Sequence, residues 1–194
     1  MEELIKYFTI VNSMRRKCDT NAFIKLSGPH PTYLVTANDP RDNSKAAIAV
    51  AWATPISVNP PMFGIVISPN KASNNIIKEA GFFTVNILPL DAVDKIWWTG
   101  THTGRQYENK IAAAGLTPVP GKIDKNATSI EEAIASFECK LKNVIPVGNH
   151  TLFIGEVVSA DASEDFFDVE KGIWIPETAR LIFHHANDVF LTNC

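Results

Sequence analysis

Ser68-Pro69-Asn70-Lys71-Ala72-Ser73 joins the end of an apolar run to the start of a helical pattern. A helix start presents unpaired amides and a partial positive charge to an anion. Lys71 adds a full charge, and Ser68 and Ser73 add hydroxyl donors, so the segment holds the parts of a phosphate site. The same residues also read as a helix capped by Ser73 with a solvated lysine. A second segment, Thr54-Pro55-Ile56-Ser57-Val58-Asn59-Pro60-Pro61, follows Trp52-Ala53. Its paired prolines forbid helix and hold the preceding residues extended, leaving backbone donors and acceptors in fixed geometry. Such a rim suits the edge of a flat heteroaromatic ring, and it equally suits a stiffened barrel corner.

Other chemistries find less support. His102, His150, His184 and His185 pair with no His, Cys or Glu at a recurrent metal spacing, so no zinc site is expected. There is no G-x-S-x-G elbow, P-loop or G-x-G-x-x-G fingerprint. Trp97, Trp98 and Trp174 read as core or interface aromatics. Cys18, Cys139 and Cys194 are odd in number and far apart, which points to thiols in a reducing compartment rather than a disulfide framework. A net charge of -3 gives no basic footprint for nucleic acid. No apolar run approaches the roughly 20 residues of a membrane helix, and the acidic start is not a signal peptide, so a cytoplasmic protein is expected.

The elements that must position these residues are short. In 194 residues with 45% hydrophobic side chains there is material for one domain with a sizeable core. Residues 33–37, 46–53, 62–68 and 82–88 read as strands, each bounded by turn residues. The alanine-rich 46–53 run has helix propensity, but its length and flanks favour strand. Helices are expected over residues 73–80, ended by Gly81, and over 91–98. Thr103-Gly104-Arg105-Gln106 has a capping-box pattern, with Tyr107, Ile111 and Ala114 at helical spacing and Gly115 as the stop. Phe137, Cys139 and Leu141 alternate with Glu138, Lys140 and Lys142, a strand with one wet face. A turn over Pro146-Val147-Gly148-Asn149 leads to a strand over 150–160, and a last one is expected over 180–184. Strands do not alternate with helices, so the reading is a mainly β fold, an antiparallel Greek-key barrel with inserted helices.

Taken in order, these segments resemble the flavin reductase-like family, in its flavoredoxin-like branch with an FMN-binding split barrel. The residues that carry the resemblance are Tyr33-Leu34-Val35-Thr36-Ala37, Val50-Ala51-Trp52-Ala53-Thr54-Pro55-Ile56-Ser57-Val58-Asn59-Pro60-Pro61-Met62, Ser68-Pro69 and Gly81-Phe82-Phe83-Thr84-Val85-Asn86. Thr103-Gly104-Arg105 with Lys110, Phe137-Glu138-Cys139 and Gly148-Asn149-His150-Thr151 continue it. The expectation is one domain over residues 1–194 with a helical insertion over 89–115; the N-terminal extension over 1–30 lies outside the resemblance, and a dimer-covering helix is expected there. The resemblance implies FMN at a homodimer interface, with Trp52, Ala53, Thr54, Pro55, Ile56, Ser57 and Asn59 along the ring and Ser68, Lys71 and Ser73 at the phosphate. His150 matches a turn histidine near the nicotinamide or the exposed flavin face, and we assign His150 and Lys110 to seating the nicotinamide or its phosphates. Ala46 stands where family members carry an asparagine, so a side-chain contact from that position is lost.

The expected activity is hydride transfer from NADH or NADPH to FMN, with a monooxygenase or redox protein as downstream partner and no nucleic acid or membrane involved. Two rivals stand beside it. One is a flavoredoxin-type carrier that takes electrons from a protein. The other is a flavin-binding module without turnover.

Overall fold

The computed structural model describes residues 15–124 and 127–193. Its centre is a seven-stranded antiparallel sheet: β1 (Tyr33–Asn38), β2 (Lys45–Val50), β3 (Ala53–Val58), β4 (Pro61–Ile67), β5 (Phe82–Ile87), β6 (Ala135–Val147) and β7 (His150–Ala162). The spatial order is β2-β1-β5-β6-β7-β4-β3. β2 and β3 therefore occupy opposite edges, yet only Ala51 and Trp52 separate them in the chain. At roughly 3.3–3.6 Å per residue so short a link forces the edges together, and the sheet rolls into a barrel. β1 to β4 run round it one way and β5 to β7 return the other, a Greek-key path. The Trp52 carbonyl accepts from the Val66 amide at 2.8 Å, so Trp52 sits in the seam.

Alternation along the strands sorts two cores. Val35, Ile48, Val50, Phe63, Ile65, Phe83, Val85, Cys139 and Phe153 fill the barrel. Leu34, Ala47, Leu88, Ile96, Ile111 and Ile182 form a second cluster on its outer face, beneath the inserted helices. This explains why β2 is a strand despite its alanines. Both of its faces are buried, with large residues inward and small ones outward where a helix must approach. A Cβ placed on Gly100 would lie 3.5 Å from the Ala49 Cβ, which shows how close that approach is. Gly155 is more demanding, since a Cβ there would meet Cys139 and the Phe83 ring at 2.7 and 2.8 Å.

Helix α1 (Ala72–Ala80) crosses from β4 to β5 and sends Ile77 into the barrel core, ending at Gly81 in the left-handed region. Helix α2 (Val93–Thr101) follows a short 3-10 turn and buries Ile96 and Thr99. The capping-box expectation is corrected here. Thr103 caps only the 3-10 turn Gly104–Gln106, and a separate helix, α3 (Lys110–Ala113), begins at Asn109, whose side chain accepts from Ala112. The wet face expected at Glu138 is also corrected. This residue is 3% exposed, because its carboxylate accepts from the amides of Lys122, Ile123 and Asp124. Beyond the barrel, β8 (Ile182–Ala186) and β9 (Val189–Thr192) form a hairpin turned at Asn187, with residues His30–Pro31 paired to β8. β9 is an addition to the strands read from sequence. Of the expected N-terminal helix, residues 1–14 lie outside the described residues, and the described part holds a 3-10 turn, Thr20–Ala22, and a single helical turn, Phe23–Leu26. Among the described residues no helix is long and apolar enough to cross a membrane.

Candidate functional site

The seam leaves a cleft of about 350 Å³ beside Trp52. One wall is the β2 edge with Trp52, another is the α2 face carrying Trp97, Gly100 and Thr101, and the C-terminal hairpin closes it with His184, Asn187 and Phe190. Trp97, Gly100 and Thr101 share a face because they are three and four residues apart on a helix. The Trp97 and Phe190 rings meet edge to face at 6.0 Å, and the His150 ring lies 5.0 Å from Trp52. His150 Nδ1 lies 2.7 Å from Asn149 Oδ1, which can only accept, so Nδ1 is the donor in this contact and Nε2 makes no hydrogen bond among the described residues.

The backbone adds polar groups to this largely apolar space. Ala47 O points away from β1, because Lys110 Nζ donates to it at 2.9 Å. In an antiparallel pair that orientation recurs every second residue, so Ala49, which lines the cleft, turns its N–H and C=O the same way. Small side chains and a bare strand edge together suit the rim of a flat polar heterocycle.

A second cleft of about 290 Å³ adjoins the first, and Ile48, Lys71 and Thr101 belong to both. Asn70, Ser73, His102, Thr103 and Lys110 are among its other lining residues, and none of the lining is Asp or Glu. The helix start of α1 opens here. Its N-cap is Lys71, whose side chain makes no capping bond, so the first-turn amides are not screened by a cap. Ser73 is therefore inside the first turn rather than capping it, a correction to the sequence reading. Lys71 Nζ donates to Gly100 O at 3.3 Å and stays exposed. Lys110, by contrast, is 4% exposed and donates to Ala47 O and Thr99 O at 2.9 and 2.6 Å. Burial, reinforced by the Lys71 charge, brings its ammonium down to about 8.

The structure thus gathers Trp52, Ser68, Lys71 and His150 around the first cleft and Lys71, Ser73 and Lys110 around the second. Ala53 and Thr54 line a third space of about 330 Å³ on the other side of Trp52, with Phe23, Ser27 and His30. Pro55, Ile56, Ser57 and Asn59 line none of these three clefts. They stand on or just past edge strand β3, where a proline is tolerated because the strand's outer side needs no donor. Trp97, Phe190 and His184 were not picked out for the site by sequence. The i, i+3, i+4 pattern of Trp97, Gly100 and Thr101 was a signal for one face. The hairpin had a weaker one in Asn187, which holds a left-handed turn between apolar strands. Burial and then the Glu138 charge push the Cys139 thiol up to about 12, which disfavours the thiolate.

A donor set of lysine, hydroxyls and uncapped amides beside an aromatic-walled slot fits a phosphorylated ring system. The model of the flavin reductase like domain matches residues 26–184. A flavin reductase from Pseudomonas putida is 31% identical over 146 residues, 74% of this chain and 81% of the relative. Among solved structures, an FMN-binding protein from Thermus thermophilus with bound 1-cyclohex-2-enone superposes with TM-score 0.78 at 25% identity, covering 93% of this chain and 95% of that one. A flavoredoxin from Desulfovibrio vulgaris (Miyazaki F) has TM-score 0.78 at 26% identity, covering 92% and 93%. With the family model spanning most of its length, the chain belongs to the flavin reductase-like domain family.

Proposed function

We propose that the chain binds flavin mononucleotide, with the ring in the seam cleft and the phosphate in the adjoining one, and reduces it with NADH or NADPH. The observation that carries the reading is that the two clefts adjoin, sharing Ile48, Lys71 and Thr101 in their linings, so that an aromatic slot lies beside a pocket lined by two lysines. When bound, FMN supplies the centre that accepts a hydride. The chain's own residues do the rest. Trp52, Trp97 and Phe190 exclude water from the ring's faces, and the β2 edge at Ala49 offers donors and acceptors to its rim. Preorganised amides of this kind favour negative charge gathering there. Lys71, Ser68, Ser73 and the first α1 amides fix the phosphate. His150, with Nε2 unencumbered, borders the ring cleft, where it can orient the nicotinamide carboxamide. Lys110 acts from behind the wall by tying Thr99 to Ala47.

A homodimer is the assembly we propose. Support comes from the exposed apolar side chains of β3 and β6, with Val58 92% exposed and Ile56, Val144, Ile145 and Val147 beside solvent. A dimer is also the setting in which Pro55, Ile56, Ser57 and Asn59 would meet a ring held near the interface. Sedimentation equilibrium returning a monomer would remove that part.

Anaerobic mixing of the FMN-loaded protein with NADH and with NADPH tests the activity. Bleaching of the flavin's visible absorbance by either is the expected result. The likeness to a flavoredoxin favours a second reading, an electron carrier reduced by a protein partner. A bound flavin that neither nicotinamide bleaches would support the carrier and overturn the reductase.

A further inference from the structure

A polar cleft of about 640 Å³ adjoins the one proposed for the phosphate and shares no lining residue with the ring cleft. The proposed phosphate cleft therefore lies between the other two. Ala72 and Gly104 are common to its lining and that of the polar cleft, and they carry nothing bulkier than a methyl group. Part of the polar wall is locked by ion pairs. Asp39, 3% exposed, holds the Arg41 guanidinium, which also reaches Glu79 at 3.1 Å and ties the turn after β1 to α1. Arg105 is different. It stands exposed on the 3-10 turn Gly104–Gln106 and forms no ion pair among the described residues. Tyr107 is half-buried, and its ring lies 5.2 Å from that of Trp98, which backs it as a flat wall. Asp42 and Glu108 add carboxylates to the lining.

Asp39, Asp42 and Glu108 outnumber Arg41 and Arg105 here, so a bare polyanion is a poor occupant. One uncommitted guanidinium, two carboxylates and an aromatic wall instead match a nucleoside monophosphate. A guanidinium pairs with a phosphate, a carboxylate accepts from a ribose hydroxyl, and a base stacks on an aromatic ring. We propose that the polar cleft is an adenylyl site, taking the adenosine monophosphate half of flavin adenine dinucleotide (FAD) while the FMN half fills the other two clefts. In that dinucleotide a second phosphate is joined to the FMN phosphate. A ligand anchored at Lys71 thus carries its added half past the small residues Ala72 and Gly104. Arg105 meets the second phosphate, Asp42 and Glu108 the ribose, and Tyr107 the adenine. The inference rests on the flavin reading above and adds a site to it. NADH and NADPH also carry an adenylyl group. The flavin is favoured because the polar cleft adjoins the proposed phosphate cleft and has no residue in common with the ring cleft, which the nicotinamide has to reach.

FMN and FAD are titrated by calorimetry into the full chain and into Arg105→Met and Tyr107→Leu. The unaltered protein should bind FAD about tenfold more tightly than FMN. Arg105→Met should weaken FAD about tenfold, the loss of one charge-assisted contact, and leave FMN within about twofold. Tyr107→Leu should weaken FAD about fivefold through the lost stacking, with the FMN affinity reporting an intact fold. The Michaelis constants of the FMN-loaded protein for NADH and NADPH should not move in Arg105→Met. FAD no tighter than FMN in the unaltered protein overturns the inference, as does an Arg105→Met loss that FMN shares. A raised Michaelis constant for either nicotinamide in Arg105→Met, with FAD affinity unchanged, also overturns it and gives the cleft to the nicotinamide dinucleotide. These outcomes leave the flavin reading standing. Failure of both flavins to bind the unaltered protein overturns both.

Discussion

The two clefts of this molecule share a wall but are built on different physics. The ring cleft is made by topology. Its walls come from the barrel seam, from helix α2 and from the C-terminal hairpin, segments far apart in sequence, and its affinity must come from apolar area and fit. The cleft proposed for the phosphate is made locally, by a helix start and charged side chains, with α3 adding a buried lysine. Its affinity must come from charge and hydrogen bonds. Substitutions should therefore separate FMN from riboflavin at one cleft and leave the pair together at the other.

The largest effect is expected from Lys71→Glu, which replaces the exposed ammonium of the phosphate cleft with a like charge to the ligand. FMN should weaken roughly a hundredfold and riboflavin less than about twofold, measured by calorimetry. Parallel losses for both would erase the distinction between the clefts. Trp52→Ala and Phe190→Ala should each weaken the two flavins together by about tenfold, the loss expected when one aromatic contact is removed. A loss confined to FMN would place the phosphate against the aromatic wall and contradict the arrangement. Raising salt from about 0.05 to about 0.5 M should weaken FMN about fivefold and leave riboflavin level, since screening acts on the charged cleft alone. Ser73→Ala should be the mildest, about threefold on FMN, because one neutral hydrogen bond is lost and the helix cap is not involved.

The same contrast explains what could be read from the residues alone. The strand-to-helix segment proposed for the phosphate was legible as structure because its signals are local: a strand end, a loop with lysine, a helix start and Gly81 as its stop. Strand alternation and the turn at Gly148 marked the barrel for the same reason. The ring cleft was only half legible. Trp52 and the proline segment drew notice, but the partners of Trp52 arrive through barrel closure and a terminal hairpin, which no short-range pattern encodes. Two local rules also failed. Ser73 lost the cap to Lys71 because Ser73 is drawn into the buried first turn. Glu138 left the wet face because the 122–124 loop folds over it and satisfies the carboxylate with amides.

One molecule of FMN is proposed to span both clefts, and a crystal structure of the chain grown with FMN tests this most directly. The ring is expected between Trp52, Trp97 and Phe190, with the phosphate on Lys71 and the first amides of α1. Density for FMN elsewhere, or a ring in the seam whose phosphate points away from Lys71, would contradict it.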